Sequence, residues 1–62
     1  MDVFLDRVCR EKTKITVCFT GGESVTGVVE SFNDTTIWLE NNHQQEIVIN
    51  RNMIIYIVPK KK

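Results

Sequence analysis

The chain has 62 residues and a formal net charge of zero, which leaves room for one small domain and excludes a multi-domain enzyme. Hydrophobic residues make up 42% and charged residues 26%, and no apolar run approaches the ~20 residues that span a bilayer. We therefore expect a soluble, globular, cytoplasmic protein. A domain of this size buries only about 60% of its unfolded surface, so it is marginally stable without a disulfide, a metal or association with other subunits.

The cysteine and histidine content argues against stabilisation by a disulfide or by a metal. Cys9 and Cys18 form no CxxC pair and follow no apolar signal segment, so a disulfide framework is not expected. His43 is the one further soft ligand, which leaves too few for a zinc site, and we assign it no role. One histidine and scattered carboxylates do not supply a nucleophile, base and electrophile together. An enzyme is therefore not predicted, and neither is a cofactor, a metal or a small-molecule substrate.

The basic residues are unevenly distributed. Three of the eight lie in the C-terminal tail 60–62, so the rest of the chain carries five basic against eight acidic residues, a formal charge of −3. A protein that binds nucleic acid mainly by counterion release needs a basic face, so any such binding must use local clusters. One cluster is Arg7, Arg10, Lys12 and Lys14. It is typical either of a solvated helix face or of a phosphate-binding patch.

The first two predicted elements differ in their hydrophobic period. Apolar residues near the N-terminus recur at helical spacing, which predicts a helix over about 2–12 with Asp2 as its N-cap. Apolar and polar residues then alternate, which predicts a strand over about 14–20. Gly21-Gly22 is typical of the hairpin turn that would end this strand.

Further strands follow the glycine pair. Gly27 lies inside the next one and predicts a bulge or sharp bend there, which is typical of a small barrel. A polar loop around His43 separates two of the later strands. The four are predicted over about 23–32, 35–41, 46–50 and 53–58. The predicted fold class is thus α+β, mostly β: a single domain over 1–59 with an N-terminal helix and a five-stranded, strongly bent antiparallel sheet, followed by a basic tail over 60–62.

The last predicted strand has large apolar residues on both faces. Ile54 to Val58 contain no charge and no proline, so an open edge here would favour aggregation. Burial within the monomer is one way to cover it, but a sheet of this size has little material to spare. We therefore predict pairing with a neighbouring subunit, and a head-to-tail contact that closes would give a ring.

The order of several short motifs resembles bacterial Hfq, the Sm-like family of RNA chaperones. The motifs are Phe4-Leu5, Arg10-Glu11-Lys12, Gly22, Gly27, Val29-Glu30-Ser31-Phe32-Asn33, Leu39 and Ile57-Val58-Pro59. The run from Gly27 to Asn33 corresponds to the family's first Sm motif, and the match spans Phe4 to Pro59. The resemblance implies a helix on an SH3-like barrel, subunits joined edge to edge as a homohexamer, and RNA binding on three surfaces.

The proximal, helix-bearing face of the family binds uridine-rich RNA ends. The resemblance places its basic motif on Asn50-Arg51-Asn52 and its stacking aromatic on Thr35, with Asp34 in the same turn. Arg51 retains a cation for phosphate or base edges, although it could instead solvate a tight turn. Thr35 supplies no stacking platform, so this face should bind more weakly than in other members.

The other two surfaces also depart from the family pattern. The distal, adenine-binding face corresponds to Cys18, Gly22, Ser24, Val25, Thr26 and Tyr56. A thiol replaces its aromatic, and Tyr56 either restores a stacking surface or packs half-buried in its strand. The rim patch corresponds to Arg10 and Lys12, with Arg7 beside them.

Two functions stay open from the sequence. The first is an Hfq-like ring that binds single-stranded U-rich or A-rich RNA, small RNA or mRNA, in post-transcriptional regulation, with weakened or altered sites. The second is an Sm-like ring with little RNA affinity that acts through protein partners or a paralogue. Salt-sensitive RNA binding that depends on Arg51 distinguishes the two.

Overall fold

A computed structural model describes residues 2–60 of the chain. One helix and five strands follow each other in the order α1 (Asp2–Glu11), β1 (Lys14–Phe19), β2 (Ser24–Phe32), β3 (Thr36–Glu40), β4 (Glu46–Asn50) and β5 (Ile54–Pro59), with a 3₁₀ turn at Arg51–Met53 before the last strand. All strand pairs are antiparallel, and the sheet order is β4-β3-β2-β1-β5. The predicted fold class is therefore confirmed.

The core lies between the helix and the concave side of the sheet. Leu5 and Val8 are the buried residues of α1, which packs mainly against β2. The Cys9 thiol of the same helix donates a long 3.6 Å hydrogen bond to the Glu30 carbonyl. The buried apolar residues are Leu5, Val8, Ile15, Val17, Val29, Ile37, Leu39 and Ile49. Their alternation along the strands is the period of two seen in the sequence, which sends every second side chain to one face.

β2 departs from regular pairing with β3 at one place and is closely approached by β3 at another. A register shift between Val29 and Ser31 against β3 marks a bulge at Glu30, whereas the sequence predicted a bulge or sharp bend at Gly27. Gly27 pairs regularly with Ile15, and its role is different: a Cβ there would overlap the Glu40 carbonyl and the Leu39 side chain. Glycine is therefore needed because β3 passes close over this position.

The turn residues have the backbone angles and side-chain hydrogen bonds that are typical of tight turns. Gly21 and Gly22 both have positive φ, 98° and 88°, a conformation that glycine adopts without steric cost. In the β2–β3 turn, the Asn33 side-chain oxygen accepts hydrogen bonds from the backbone N–H groups of Thr35 and Thr36, at 2.9 and 2.8 Å. Such a side-chain cap fixes the turn that leads into β3.

The observed element ends lie within one residue of the predicted ones, with two local differences. Met53 belongs to the 3₁₀ turn and not to the last strand. Asp2 is the first residue of α1, and its carboxylate accepts a hydrogen bond from Arg51 instead of capping the helix. Of the predicted basic tail, Lys60 continues the pairing of β5 by donating to the Lys14 carbonyl, and Lys61 and Lys62 lie outside the described residues.

The outermost strands of the described sheet are β4 and β5. Large apolar side chains remain exposed on both: Val48 is 61%, Ile55 59% and Val58 48% accessible. Within residues 2–60, α1 is far too short and polar to cross a bilayer, and the structure contains no other α-helix there.

Candidate nucleic-acid interface

The residues of the predicted proximal site meet where the 3₁₀ turn contacts the β2–β3 turn. The backbone N–H of Arg51 donates to the Thr35 carbonyl at 2.9 Å, and the Arg51 guanidinium donates through Nη1 to the Asn33 carbonyl at 2.5 Å. Two turns that are distant in sequence are thus joined by one arginine. The structure therefore brings Arg51 and Thr35 together, as the resemblance implied.

The second terminal nitrogen of the Arg51 guanidinium, Nη2, contacts a residue of the helix. Nη2 lies 2.9 Å from Oδ1 of Asp2, the first residue of α1, and forms an ion pair with it. The Arg51 side chain is only 16% exposed, whereas the Asp2 side chain is 62% exposed. The cation of this site is therefore mostly enclosed by protein, and the carboxylate that pairs with it is the more exposed partner.

The remaining proximal residues shape and surround this arginine. Asn50 ends β4 and caps the 3₁₀ turn, since its side-chain oxygen accepts from the Asn52 backbone N–H at 3.0 Å. Asn52 and Asp34 are exposed. The Thr35 hydroxyl contacts the Asn33 side-chain oxygen at 3.2 Å. The surface is thus rich in amides and hydroxyls that can bond base edges, and none of these five side chains is aromatic.

Two residues of this site were missed by the sequence reasoning. Asp2 and Asn33 supply the two acceptors of the Arg51 guanidinium, yet Asp2 is 49 positions away from it. A turn-forming Asn at 33 was visible in the sequence, but no local pattern links a helix N-terminus to an arginine near the last strand.

The predicted rim residues lie on or directly after α1. Arg10 pairs with Asp6 one turn earlier, at 2.8 Å, and both side chains are about two-thirds exposed, 67% and 64%. The Arg7 guanidinium carbon lies 5.7 Å from the centroid of the Phe4 ring, a cation–π geometry. Lys12 has a positive φ of 55° where the helix ends. An exposed ion pair like that of Arg10 contributes little stability. An RNA phosphate can therefore compete with Asp6 for the Arg10 guanidinium.

Most of the predicted distal residues share the outer face of the sheet. Cys18 of β1 stands between Ser24 of β2 and Tyr56 of β5, to which it is paired in register. On the same face, the hydroxyls of Thr16 and Thr26 are 3.0 Å apart. Two predicted members lie elsewhere: Val25 packs against the core from the opposite face, and Gly22 lies in the hairpin turn.

Tyr56 is the exposed aromatic of this outer face, with 56% of its surface accessible. The neighbouring Cys18 raises the pKa of Tyr56 above its usual value, by hydrogen bonding and then by the charge of its thiolate. The phenol therefore stays protonated throughout the neutral range. It can act there as a stacking surface and as a hydrogen-bond donor.

Metal chemistry has no visible basis in the described part of the chain. Residues 2–60 contain no group of three or more His, Cys, Asp or Glu side chains placed to hold an ion, and both cysteines are free. The arrangement can bind by charge, hydrogen bonding and stacking, which are the interactions used for single-stranded nucleic acid.

Comparison with known proteins places the chain in a family. The model of the Hfq protein family matches residues 1–62. The "RNA-binding protein Hfq" of Thermoanaerobacter sp. (strain X514) is 33% identical over 60 residues, which are 97% of this chain and 70% of the relative, and that of Clostridioides difficile (strain 630) is 28% identical over the same shares.

Solved structures agree with the sequence matches. A crystal structure described as "the pleiotropic translational regulator, Hfq" superposes with a TM-score of 0.91 at 22% identity, covering 97% of this chain and 89% of the other. An Hfq protein from Anabaena sp. superposes with a TM-score of 0.86 at 19% identity, covering 95% and 93%. At such identities these likenesses concern the fold, and the match of the family model extends over the whole chain. The chain belongs to the Hfq family.

Proposed function

We propose that this protein is an Hfq-like RNA-binding protein that forms a ring and binds single-stranded RNA in post-transcriptional regulation. The match of the Hfq family model to residues 1–62 carries this proposal, and curated relatives bear the name RNA-binding protein Hfq. The proposed function is binding, with no chemical step, in keeping with the RNA-binding name of the relatives. The cytoplasmic location remains a prediction.

Ring assembly would use the two outer strands. β4 and β5 lie at opposite edges of the described sheet, and a strand edge offers unpaired N–H and C=O groups to another chain. Exposed Val48, Ile55 and Val58 would add apolar contact on association. Pairing of β4 of one subunit with β5 of the next is head to tail, so it forms a closed ring if the rotation closes. Six subunits follow from the family resemblance.

The proximal site around Arg51 is proposed to bind the phosphate and base edges of uridine-rich RNA. Arg51 supplies the cation, and the exposed Asn52 and Thr35 supply hydrogen-bonding groups. Adenine-rich RNA would bind the outer face instead, where Tyr56 offers a stacking surface worth about 1–3 kcal/mol per base. Rim cations Arg7 and Arg10 would add weak, salt-sensitive contact.

The test is a titration of the assembled protein with RNA. Light scattering gives the mass of the ring, and fluorescence anisotropy gives the affinities for fluorescent oligo-U and oligo-A at about 50 and 200 mM salt. We expect affinity to fall steeply with salt, because the contacts are to phosphate. Arg51→Ala should weaken oligo-U selectively and Tyr56→Ala should weaken oligo-A selectively. His43→Ala, an exposed change in the loop between β3 and β4 and away from both sites and both outer strands, is the matched control.

The ion pairs of Arg51 and Arg10 with carboxylates of the same chain favour a second function. Both Arg51 and Arg10 are already bound to carboxylates of their own chain, and Cys18 and Thr35 stand where the family has aromatics. A ring that has lost RNA affinity would act through protein partners or a paralogue. Intact ring mass without salt-sensitive binding of either oligonucleotide would establish this alternative and refute the first.

A further inference from the structure

We infer that Asp2 sets the RNA affinity of the Arg51 site, by occupying the edge of the guanidinium that an RNA phosphate would otherwise bind. This inference rests on the proposed RNA-binding function and names a determinant within it. In this role, Asp2 in the first turn of α1 competes with an RNA phosphate for the Arg51 guanidinium.

Arg51 is the fixed member of the ion pair. Its backbone N–H is bonded to the Thr35 carbonyl, its Nη1 is bonded to the Asn33 carbonyl, and its side chain is 84% buried, being 16% exposed. Neither of the two hydrogen bonds to the Thr35 and Asn33 carbonyls involves Asp2. The guanidinium therefore stays in place when Asp2 leaves, and the position of Nη2 is defined without it.

Asp2 is the member that can leave. Its side chain is 62% exposed and makes one ion pair, with Nη2 of Arg51 at 2.9 Å. It lies at the first residue of α1, where the backbone is constrained by the helix on one side alone. A side-chain rotation is enough to uncover Nη2. Because the carboxylate end of the pair faces solvent, a phosphate with further contacts can displace it.

Carboxylate and phosphate compete for the same donor. Both anions accept charge-assisted hydrogen bonds from a guanidinium, and an N–H already bonded to Asp2 cannot serve a phosphate equally well. The negative charge of Asp2 also repels a phosphate that approaches Arg51. When RNA binds, the Arg51–Asp2 hydrogen bond is replaced by an Arg51–phosphate hydrogen bond. The net free energy of binding therefore comes from the other contacts of the RNA.

The experiment is a double-mutant cycle on the full chain, read by oligo-U anisotropy. Asp2→Asn keeps the size of the side chain and removes its charge. Arg51→Gln removes the cation and keeps a donor toward the Asn33 carbonyl. Asp6→Asn is the matched control, because Asp6 carries the same charge on the same helix and also pairs with an arginine, Arg10. Circular-dichroism melts and light scattering verify that each variant folds and assembles.

We expect Asp2→Asn to tighten oligo-U binding by about two- to fivefold, the range of an exposed ion pair. It should also steepen the salt dependence by up to about 0.7 in log K against log salt per engaged site, since Arg51 then releases a counterion. The gain should vanish in the Arg51→Gln background, whereas any effect of Asp6→Asn should be the same with either residue at 51.

Three results would overturn the inference. An equal gain from Asp2→Asn in both backgrounds would mean a general effect of net charge. Weaker binding would mean that Asp2 supports the site. An unchanged salt slope in Asp2→Asn would mean that Arg51 gains no phosphate, and this readout holds even where Arg51→Gln fails to fold. Absence of salt-sensitive binding in wild type and every folded variant would refute the proposed function itself.

Discussion

Replacing Gly27 by alanine tests the close approach of β3 to this position in β2. An added Cβ would overlap the Glu40 carbonyl, which belongs to the backbone of β3, and the Leu39 side chain, which is fully buried. Neither neighbour can move without shifting β3 or the core. Gly27 has no positive φ, so backbone strain plays no part and the whole cost arises from overlap.

The sign of the effect separates two explanations. Strand propensity alone predicts that Gly27→Ala stabilises the protein by about 0.5–1 kcal/mol, because glycine is disfavoured inside strands. Overpacking predicts a loss of about 1–3 kcal/mol. For a domain of this size that loss corresponds to a fall in Tm of roughly 5–20 °C. Gly27→Val should cost more than alanine if overlap is the cause.

The assay is thermal unfolding followed by circular dichroism, repeated at several protein concentrations because subunit association shifts Tm. Ser24→Ala, an exposed change in the same strand, is the control and should leave Tm nearly unchanged. Gly22→Ala is a second comparison, with open space around the new Cβ but a φ of 88°, so its cost reports backbone strain alone. An unchanged or higher Tm for Gly27→Ala would refute the reasoning.

Three further predictions concern the turn, the outer face and the core. Asn33→Ala removes three hydrogen bonds within the β2–β3 turn and should lower stability by about 1–2 kcal/mol in urea unfolding, whereas Asn33→Asp, which keeps the acceptor, should lose less. Cys18→Ala should lower the pKa of Tyr56 toward 10, measured by phenolate absorbance of the single tyrosine; an unchanged midpoint would exclude Cys18 as the cause. Leu5→Ala should cost about 2–5 kcal/mol, since its side chain is fully buried under α1, and a loss below about 1 kcal/mol would contradict that packing.

Strand positions could be predicted because they depend on local pattern. Ile15 and Val17 alternate with Thr16 and Cys18, and all four have the burial that this alternation requires. The glycine pair that ends β1 has the positive φ angles that only glycine adopts freely. Each of these features needs only a few neighbouring residues to define it.

The position of the irregularity in β2 and the contacts of Arg51 could not be predicted from local pattern. Whether Gly27 or Glu30 carries the irregularity depends on where β3 crosses β2, a matter of three-dimensional register. The ion pair of Arg51 with Asp2 depends on how the helix N-terminus lies against the 3₁₀ turn. The resemblance assigned Arg51 and Thr35 to one surface, and a backbone hydrogen bond joins these two residues in the structure, although their role in RNA binding stays a prediction.

The two ion pairs found among residues 2–60 share a pattern that bears on how RNA would bind. Asp2 and Asp6 are one helical turn apart on α1, and each neutralises an arginine of a different proposed RNA surface, Arg51 and Arg10. Outside the C-terminal tail the chain carries a net charge of −3, so long-range attraction for RNA is weak. Affinity must then arise from several simultaneous contacts that displace carboxylates. The proposed ring would present these contacts in repeated copies, so we expect subunit assembly to strengthen RNA binding as well as to cover β5.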